Sequence, residues 1–370
     1  TTSAPGNNLP EVISGLAAVS SSSCGYFGGG YSTPPATYYK AIDRIDFFSE
    51  TVSAPGNNLS QRRTALAATS GGASQRIKGS RTYGYFGGGF APPYVDTIDR
   101  IDFSNETTSA PGNDLSQERD ELAAVSSNSY GYFAGGYTPP IAVYGYVDTI
   151  DRLDFSNETT STPGNNLTQG RNGLGAVSSS SYGYFGGGFT PPVVKTIDRI
   201  DFSNETTSAP GNNLSQARTG LGAVSSSSYG YFGGGSSPPF SATKNRVDRL
   251  DFSNETRSTP GNNLPLARTG LAAVSSSSYG YFGGGFAPPY VSTIDRLDFS
   301  NETTSTPDNN LPQARYGLAA VSSSSYGYFG GGETPPYVNT IDRIDFSNET
   351  TSAPGNNLTQ ARDSLAATSN

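Results

Sequence analysis

Residues 268–311 read RTGLAAVSSSSYGYFGGGFAPPYVSTIDRLDFSNETTSTPDNNL. Four short stretches in this segment have strand character, separated by turn chemistry. Residues 270–274 are small and apolar. Residues 279–282 are Tyr-Gly-Tyr-Phe and stop at a run of glycines. Residues 293–299 carry Ile294, Leu297 and Phe299 among charged neighbours, and residues 303–306 are short and polar. Aromatic and β-branched residues suit a pleated, half-buried surface, whereas Gly, Pro, Asn and Ser supply the turns. The segment therefore predicts a four-stranded antiparallel unit.

The unit recurs. Tyr-Phe-Gly-Gly-Gly reaches its first glycine at Gly28, Gly87, Gly186, Gly233, Gly283 and Gly330, and a variant with Ala134 makes seven. Asp-Arg-x-Asp-Phe also occurs seven times, from Asp43, Asp99, Asp151, Asp198, Asp248, Asp295 and Asp342, most often 47 residues apart. That period belongs to propeller blades, whereas solenoid coils are usually shorter. The expected fold is all-β: residues 1–370 form one seven-bladed β-propeller of four-stranded blades. Small residues place the first strand at the crowded axis. The polar, Pro-flanked fourth strand suits the outer edge, where it discourages edge pairing. Alternation puts Tyr279 and Tyr281 on one face and Gly280 on the other, so an aromatic face is expected to meet a glycine-thinned face of the next blade.

The Asn-Leu…Leu-Ala-Ala segment occurs eight times, so residues 1–22 and 350–370 share one register. A ring of seven seats one of them. The first copy has Ile13 where the others carry Arg, while the last keeps Arg362. The C-terminal Leu365-Ala366-Ala367 is thus expected to complete the blade begun by residues 24–47.

The glycine doublet ending the second strand, the Asp-Arg-x-Asp of the third and the Arg opening the first together resemble the kelch repeat. The resemblance implies a propeller closed by strands from both termini. Ile45, Ile101 and Leu153 replace its usual tyrosine, and Trp is absent. In texture the chain is similar to kelch-like repeat proteins of marine bacterial viruses, which implies a virion surface.

The chain has no His and a single cysteine, Cys24. Ser-His-Asp triads, His-ligated metals and zinc sites are therefore excluded, and no cofactor or metal is expected. Paired carboxylates are what a glycosidase requires. Asp295 and Asp298 lie three apart on a strand and recur in every unit, so they read as structural, and no symmetry-breaking cluster of Asp, Glu and Tyr is evident. The recurring Arg63, Arg119, Arg171, Arg218, Arg268, Arg315 and Arg362 read as partners of carboxylates or carbonyls; a ring of them at a channel mouth would bind an anion. With a net charge of −8, phosphate neutralisation is disfavoured, so no nucleic-acid partner is expected. No apolar run approaches the length of a membrane span. The lack of Met predicts a processed chain or an excerpt.

Binding residues are expected on the loops after the glycines, which carry Pro-Pro with aromatic neighbours and vary in length: Phe90, Tyr94, Tyr137, Phe189, Phe240, Phe286, Tyr290 and Tyr337. Variable loops on a rigid scaffold are where binding resides. The insertion at residues 71–82, with Arg76, Lys78 and Arg81, is a second candidate, for an acidic partner or a neighbouring subunit. Asn-Glu-Thr sequons at Asn105, Asn157, Asn204, Asn254, Asn301 and Asn348 read either as glycan acceptors or as turns. These features predict a non-enzymatic structural or binding module on a virion or extracellular surface. Its partners would be subunits of a larger assembly or surface glycans. A carbohydrate-active enzyme using carboxylates on the propeller face is the alternative, and an intracellular adaptor of the kelch kind a third.

Overall fold

The computed structural model describes residues 11–12, 14–21, 23–32, 37–49, 51–55, 58–70, 83–89, 94–102, 108–138, 145–238, 242–322, 325–330, 341–352, 360–361 and 366–367. Every regular element among them is a strand, and no helix is long and apolar enough to cross a membrane. Seven small antiparallel sheets stand in a ring, making a seven-bladed β-propeller. In blade 6, Ala272–Ser275, Tyr279–Gly283, Ile294–Asp298 and Thr304–Ser305 pair in that order from axis to rim. Counting from the N-terminus, the first strands of blades 1 to 7, which stand around the axis, are Ser14–Ser20, Ala67–Ser70, Ala123–Ser126, Gly175–Ser178, Gly222–Ser225, Ala272–Ser275 and Ala319–Ser322. Each lies beside the next, and the ring closes where the seventh meets the first. The inner strand of blade 6 starts two residues later than its composition suggests, because Gly270 turns the chain at φ 61°.

Blades interlock through rings and glycines. Tyr281 stacks on Phe346 of the next blade at 5.3 Å between centroids. A Cβ at Gly283, on the same face, would lie 2.6 Å from Cε1 of Phe329 in that blade. On the opposite face Phe282 fills the space over Gly233 of the previous blade, and Gly280 admits Val224. The expected aromatic-to-glycine match is therefore real but differently placed. The receiving glycine sits on the tyrosine face itself, and Gly327 receives Val274 rather than a tyrosine. Tyr281 and Phe282 are fully buried, and each such side chain contributes about 1.5–3 kcal/mol.

Polar bonds lock each blade internally and to its neighbour. Arg218, fully buried, donates to the carbonyls of Gly234 at 2.6 Å and Phe232 at 3.0 Å and pairs with Asp248. The second carboxylate oxygen of Asp248 accepts the Ser215 amide at 3.1 Å. The equivalent arginines at 63, 119, 171, 268 and 315 are equally buried, so they are internal braces and not an anion-binding ring at the mouth. At the rim, Asp251 accepts the amide and hydroxyl of Ser253 at 2.8 and 2.6 Å. These bonds hold its carboxyl below the usual range. Glu255, held at φ 57°, accepts from Arg199 at 2.7 Å and from the Tyr184 hydroxyl at 3.0 Å, both in the preceding blade. The sequon asparagines serve these turns: Asn254 Oδ1 accepts the Thr256 amide at 2.9 Å and hydroxyl at 2.6 Å.

The closing blade corrects the expectation for the termini. Ser14–Ser20 pairs with Cys24–Ser32, with Ala18 opposite Phe27. Ala366–Ala367 lies parallel along the other side of Ser14–Ser20, with Ala17 opposite Ala366. The N-terminal copy therefore holds the first-strand slot of blade 1, and Ala366–Ala367 lies on its channel side, next to the first strands of blades 2 and 7. Loop closure supplies the reason, because each doubling of a closed loop adds about 0.6 kcal/mol. A hairpin joining Ser14–Ser20 directly to Cys24–Ser32 closes at far smaller entropic cost than a strand returning from the far end of the chain. Arg362 and Leu365 lie outside the described residues, as does the insertion at residues 71–82 with Arg76, Lys78 and Arg81.

Candidate functional site

The residues that lead into the inner strands and the loops that follow the glycines meet on one face. Position by position, residue 65, 121, 173, 220, 270 or 317 sits at the channel mouth with φ between 49° and 67°. Four of the six are glycine, for which this region carries no steric penalty. Their backbones join blade to blade in a girdle. The amides of Glu121, Gly173, Gly220, Gly270 and Gly317 donate to the carbonyl of the equivalent residue one blade earlier, at 2.9–3.2 Å. The residue preceding each covers its predecessor: Thr219 Oγ1 donates to the Gly173 carbonyl at 3.1 Å, Thr269 Oγ1 donates to that of Gly220 at 3.4 Å, and Tyr316 lies over Gly270. Two glycines per blade fasten this rim from outside. The Gly285 amide donates to the Arg315 carbonyl of the next blade at 2.7 Å, and a Cβ at Gly284 would approach that oxygen to 2.7 Å.

A cavity of about 570 Å³ opens inside the girdle. Its floor is a set of leucines, among them Leu66, Leu122, Leu271 and Leu318. One wall is aromatic, formed by Phe286, Tyr290 and Tyr316. Phe286 meets Tyr290 edge-on at 5.5 Å and Tyr316 at 6.5 Å between centroids. Phe286 and Tyr290 were expected here from sequence; they are half-buried. Tyr94, Tyr137 and Phe189 form a second cluster with Tyr146 in blades 2 to 4, with neighbouring centroids 5.4–6.1 Å apart. That cluster is not part of the cavity wall. Phe90, Phe240 and Tyr337 lie outside the described residues.

The repeat pattern breaks at Asp120-Glu121, because the leads into the inner strands of blades 2 and 4 to 7 are Thr-Ala, Asn-Gly, Thr-Gly or Tyr-Gly. Sequence reading found no symmetry-breaking carboxylates, but the fold places these two among tyrosines. Asp120 exchanges both backbone hydrogen bonds with Tyr137 at 2.9 Å. Burial, helped by the Glu121 charge, pushes its carboxyl up to about 8. Burial first, and then the Asp120 charge, pushes the nearby Tyr94 hydroxyl up to about 12. Glu121 reaches channel water yet is walled by neighbouring blades, and that desolvation raises its carboxyl. Its Oε2 accepts Asn172 Nδ2 of the next blade at 2.7 Å. Tyr146, Tyr316, Asp120, Glu121 and Asn172 all escaped sequence reading. For all but Tyr146, which lies in the loop after Gly136, the signal was a departure from Arg-Thr-Gly-Leu, which a search for recurring residues passes over.

Asp120 gives the fold a pH dependence. Its folded value of about 8 exceeds the unfolded value near 3.8, so the folded state binds the extra proton. The stability tied to that proton is complete below about pH 4 and is lost as pH rises through 8. Between pH 5 and 9 the folding free energy is expected to fall by on the order of 1–2 kcal/mol, a loss kept small because water reaches the half-buried site and screens it. Denaturant midpoints measured across that range check this. Asp120→Asn should flatten the slope; an unchanged slope would place the titration elsewhere.

No protein-family model matches the chain, and no curated protein matches it.

Proposed function

We propose that this propeller is a non-enzymatic binding module that takes its partner on the loop face, at the mouth of the channel. The observation that supports this reading is the cavity of about 570 Å³ with its aromatic wall of Phe286, Tyr290 and Tyr316. Its volume falls in the range of ligand pockets, and rings set around an apolar floor are what such pockets use. The rigid ring beneath it, braced by buried Arg–Asp pairs, leaves the variation to the loops. A protein or a glycan on a virion or other extracellular surface is the class of partner we assign. The alternative of a carbohydrate-active enzyme is less well supported. Glycosidases flank the bond with two carboxyl groups, and of Asp120 and Glu121 only Glu121 lines the cavity.

The test is a double substitution, Phe286→Ala with Tyr290→Ala, screened against a glycan array and a panel of extracellular peptides. Captured ligands are expected to be lost at least tenfold, with the melting temperature lowered by only a few degrees. A ligand retained by the double variant would place binding elsewhere. Collapse of the fold would make these rings blade caps. Turnover of a glycoside that disappears in Glu121→Gln would favour the enzyme.

A further inference from the structure

We propose that the channel mouth receives the cationic side chain of a protein partner, a lysine or an arginine, with Glu121 as its counter-ion. This rests on the loop-face reading above and narrows it to one kind of occupant.

Among the described residues lining the cavity, Glu121 is the one formally charged group; no Lys or Arg lines it. Glu121 belongs to blade 3, while Phe286 and Tyr290 belong to blade 6 and Tyr316 leads into blade 7. Three steps around a ring of seven set the carboxylate across the mouth from the aromatic wall. A long aliphatic stem over leucines, a cationic head and aromatic faces are mutually suited, since a cation is drawn both to a carboxylate and to ring faces.

Two departures from the repeat meet to make this site. Of the seven equivalent positions five are glycine and one is alanine, so Glu121 stands at φ 49° where its backbone is strained. One blade on, Asn172 stands where the next two blades carry Thr219 and Thr269. Its Nδ2 donates to Glu121 Oε2 at 2.7 Å, which fixes the carboxylate, and Oε1 takes no hydrogen bond among the described residues. A threonine hydroxyl there would be committed to the carbonyl beneath it, as Thr219 and Thr269 are. Those two commitments also argue against a sugar, which needs several unspent hydroxyls or amides around it. The rest of the lining is mostly leucine, glycine and ring, with Ala65 and Ser236.

The experiment uses the whole chain and fluorescein-labelled heptapeptides Gly-Ser-Gly-X-Gly-Ser-Gly, with X as lysine, arginine or the neutral isostere norleucine, read by fluorescence polarisation. Lysine and arginine peptides are expected to bind at least tenfold tighter than the norleucine peptide, with affinity falling as salt is raised. Glu121→Gln should remove that preference. Glu121→Gly introduces the residue found in five other blades; it should remove the preference too while raising the melting temperature, which separates loss of the charge from loss of the fold. Equal binding of norleucine, or a lysine peptide bound as tightly by Glu121→Gln, overturns the inference. A neutral oligosaccharide bound equally by wild type and Glu121→Gln, yet lost in Phe286→Ala with Tyr290→Ala, upholds the loop-face reading and overturns this one. If no peptide and no glycan is retained, both fall.

Discussion

Replacing Arg218 by alanine is expected to cost about 3–5 kcal/mol, the range for removing one partner of a buried ion pair. The guanidinium is fully buried, and it serves the carbonyls of Phe232 and Gly234 as well as Asp248. Its removal leaves those carbonyls and a buried carboxylate without their donor, and burial makes each unmet group costly. Asp248→Asn should cost less, because the amide keeps the volume and still accepts the Ser215 amide, and the guanidinium left without a counter-ion keeps the carbonyls of Phe232, Gly234 and Arg246. Together the two substitutions should cost less than the sum of the separate losses. Guanidinium denaturation of the four proteins, compared as a cycle, measures this. Additive losses, or a loss below about 1 kcal/mol for Arg218→Ala, would mean that the pair is not a brace. The same substitution at Arg171 or Arg268 should cost less, because these arginines keep the aspartate and one phenylalanine carbonyl while their Nη1 takes no hydrogen-bond partner among the described residues.

Gly283→Ala is expected to cost about 2–3 kcal/mol, the upper part of the range for overpacking a close-packed interior. The added methyl would sit 2.6 Å from Cε1, 2.9 Å from Cζ and 3.0 Å from Cδ1 of Phe329. The ring is fully buried between two blades, so it cannot swing aside into solvent. Backbone strain is not the cause, since Gly283 lies within a strand and outside the left-handed region. Phe329→Leu should therefore recover part of the loss in the double variant by vacating the edge of the ring. The melting temperatures of the two single variants and the double decide it. A double variant as unstable as the sum of the singles would show that the methyl clashes with something other than Phe329. By contrast Gly164→Ala, where a Cβ meets nothing within 4 Å, should be limited to the cost of its φ of 85°.

Much of this architecture is local and was legible in the residues. Tyr-Gly-Tyr-Phe followed by three glycines, recurring along the chain, specifies a strand with rings and gaps and then a sharp exit. Asp-Arg-x-Asp-Phe specifies a third strand whose two carboxylates point to different environments. Asp248 goes inward to Arg218, while Asp251 caps the turn outside. Alternation along a strand is a property of the chain itself, so sequence is enough to separate such faces.

The candidate site was not legible in this way, because it is made of exceptions that the ring brings together. Glu121 and Asn172 are neighbours only because their blades are neighbours, and Glu121 faces Phe286 and Tyr290 only because seven blades close around a channel. No periodicity relates those residues; the closed ring does. The termini show the same division. The eight copies of the inner-strand segment determined that one is surplus to a ring of seven. Which copy takes the slot depends on the short connection that tethers Ser14–Ser20 to Cys24–Ser32, an advantage of chain entropy that no residue type records. Sequence by itself determined the blade, which is written within a single repeat, and the number of blades, which is the number of copies, but left the recurring Arg a choice of carboxylate, carbonyl or anion. The closing strand, the girdle and the placing of one carboxylate opposite three aromatic rings were decided by the tertiary structure, because each depends on bringing distant blades into a single ring.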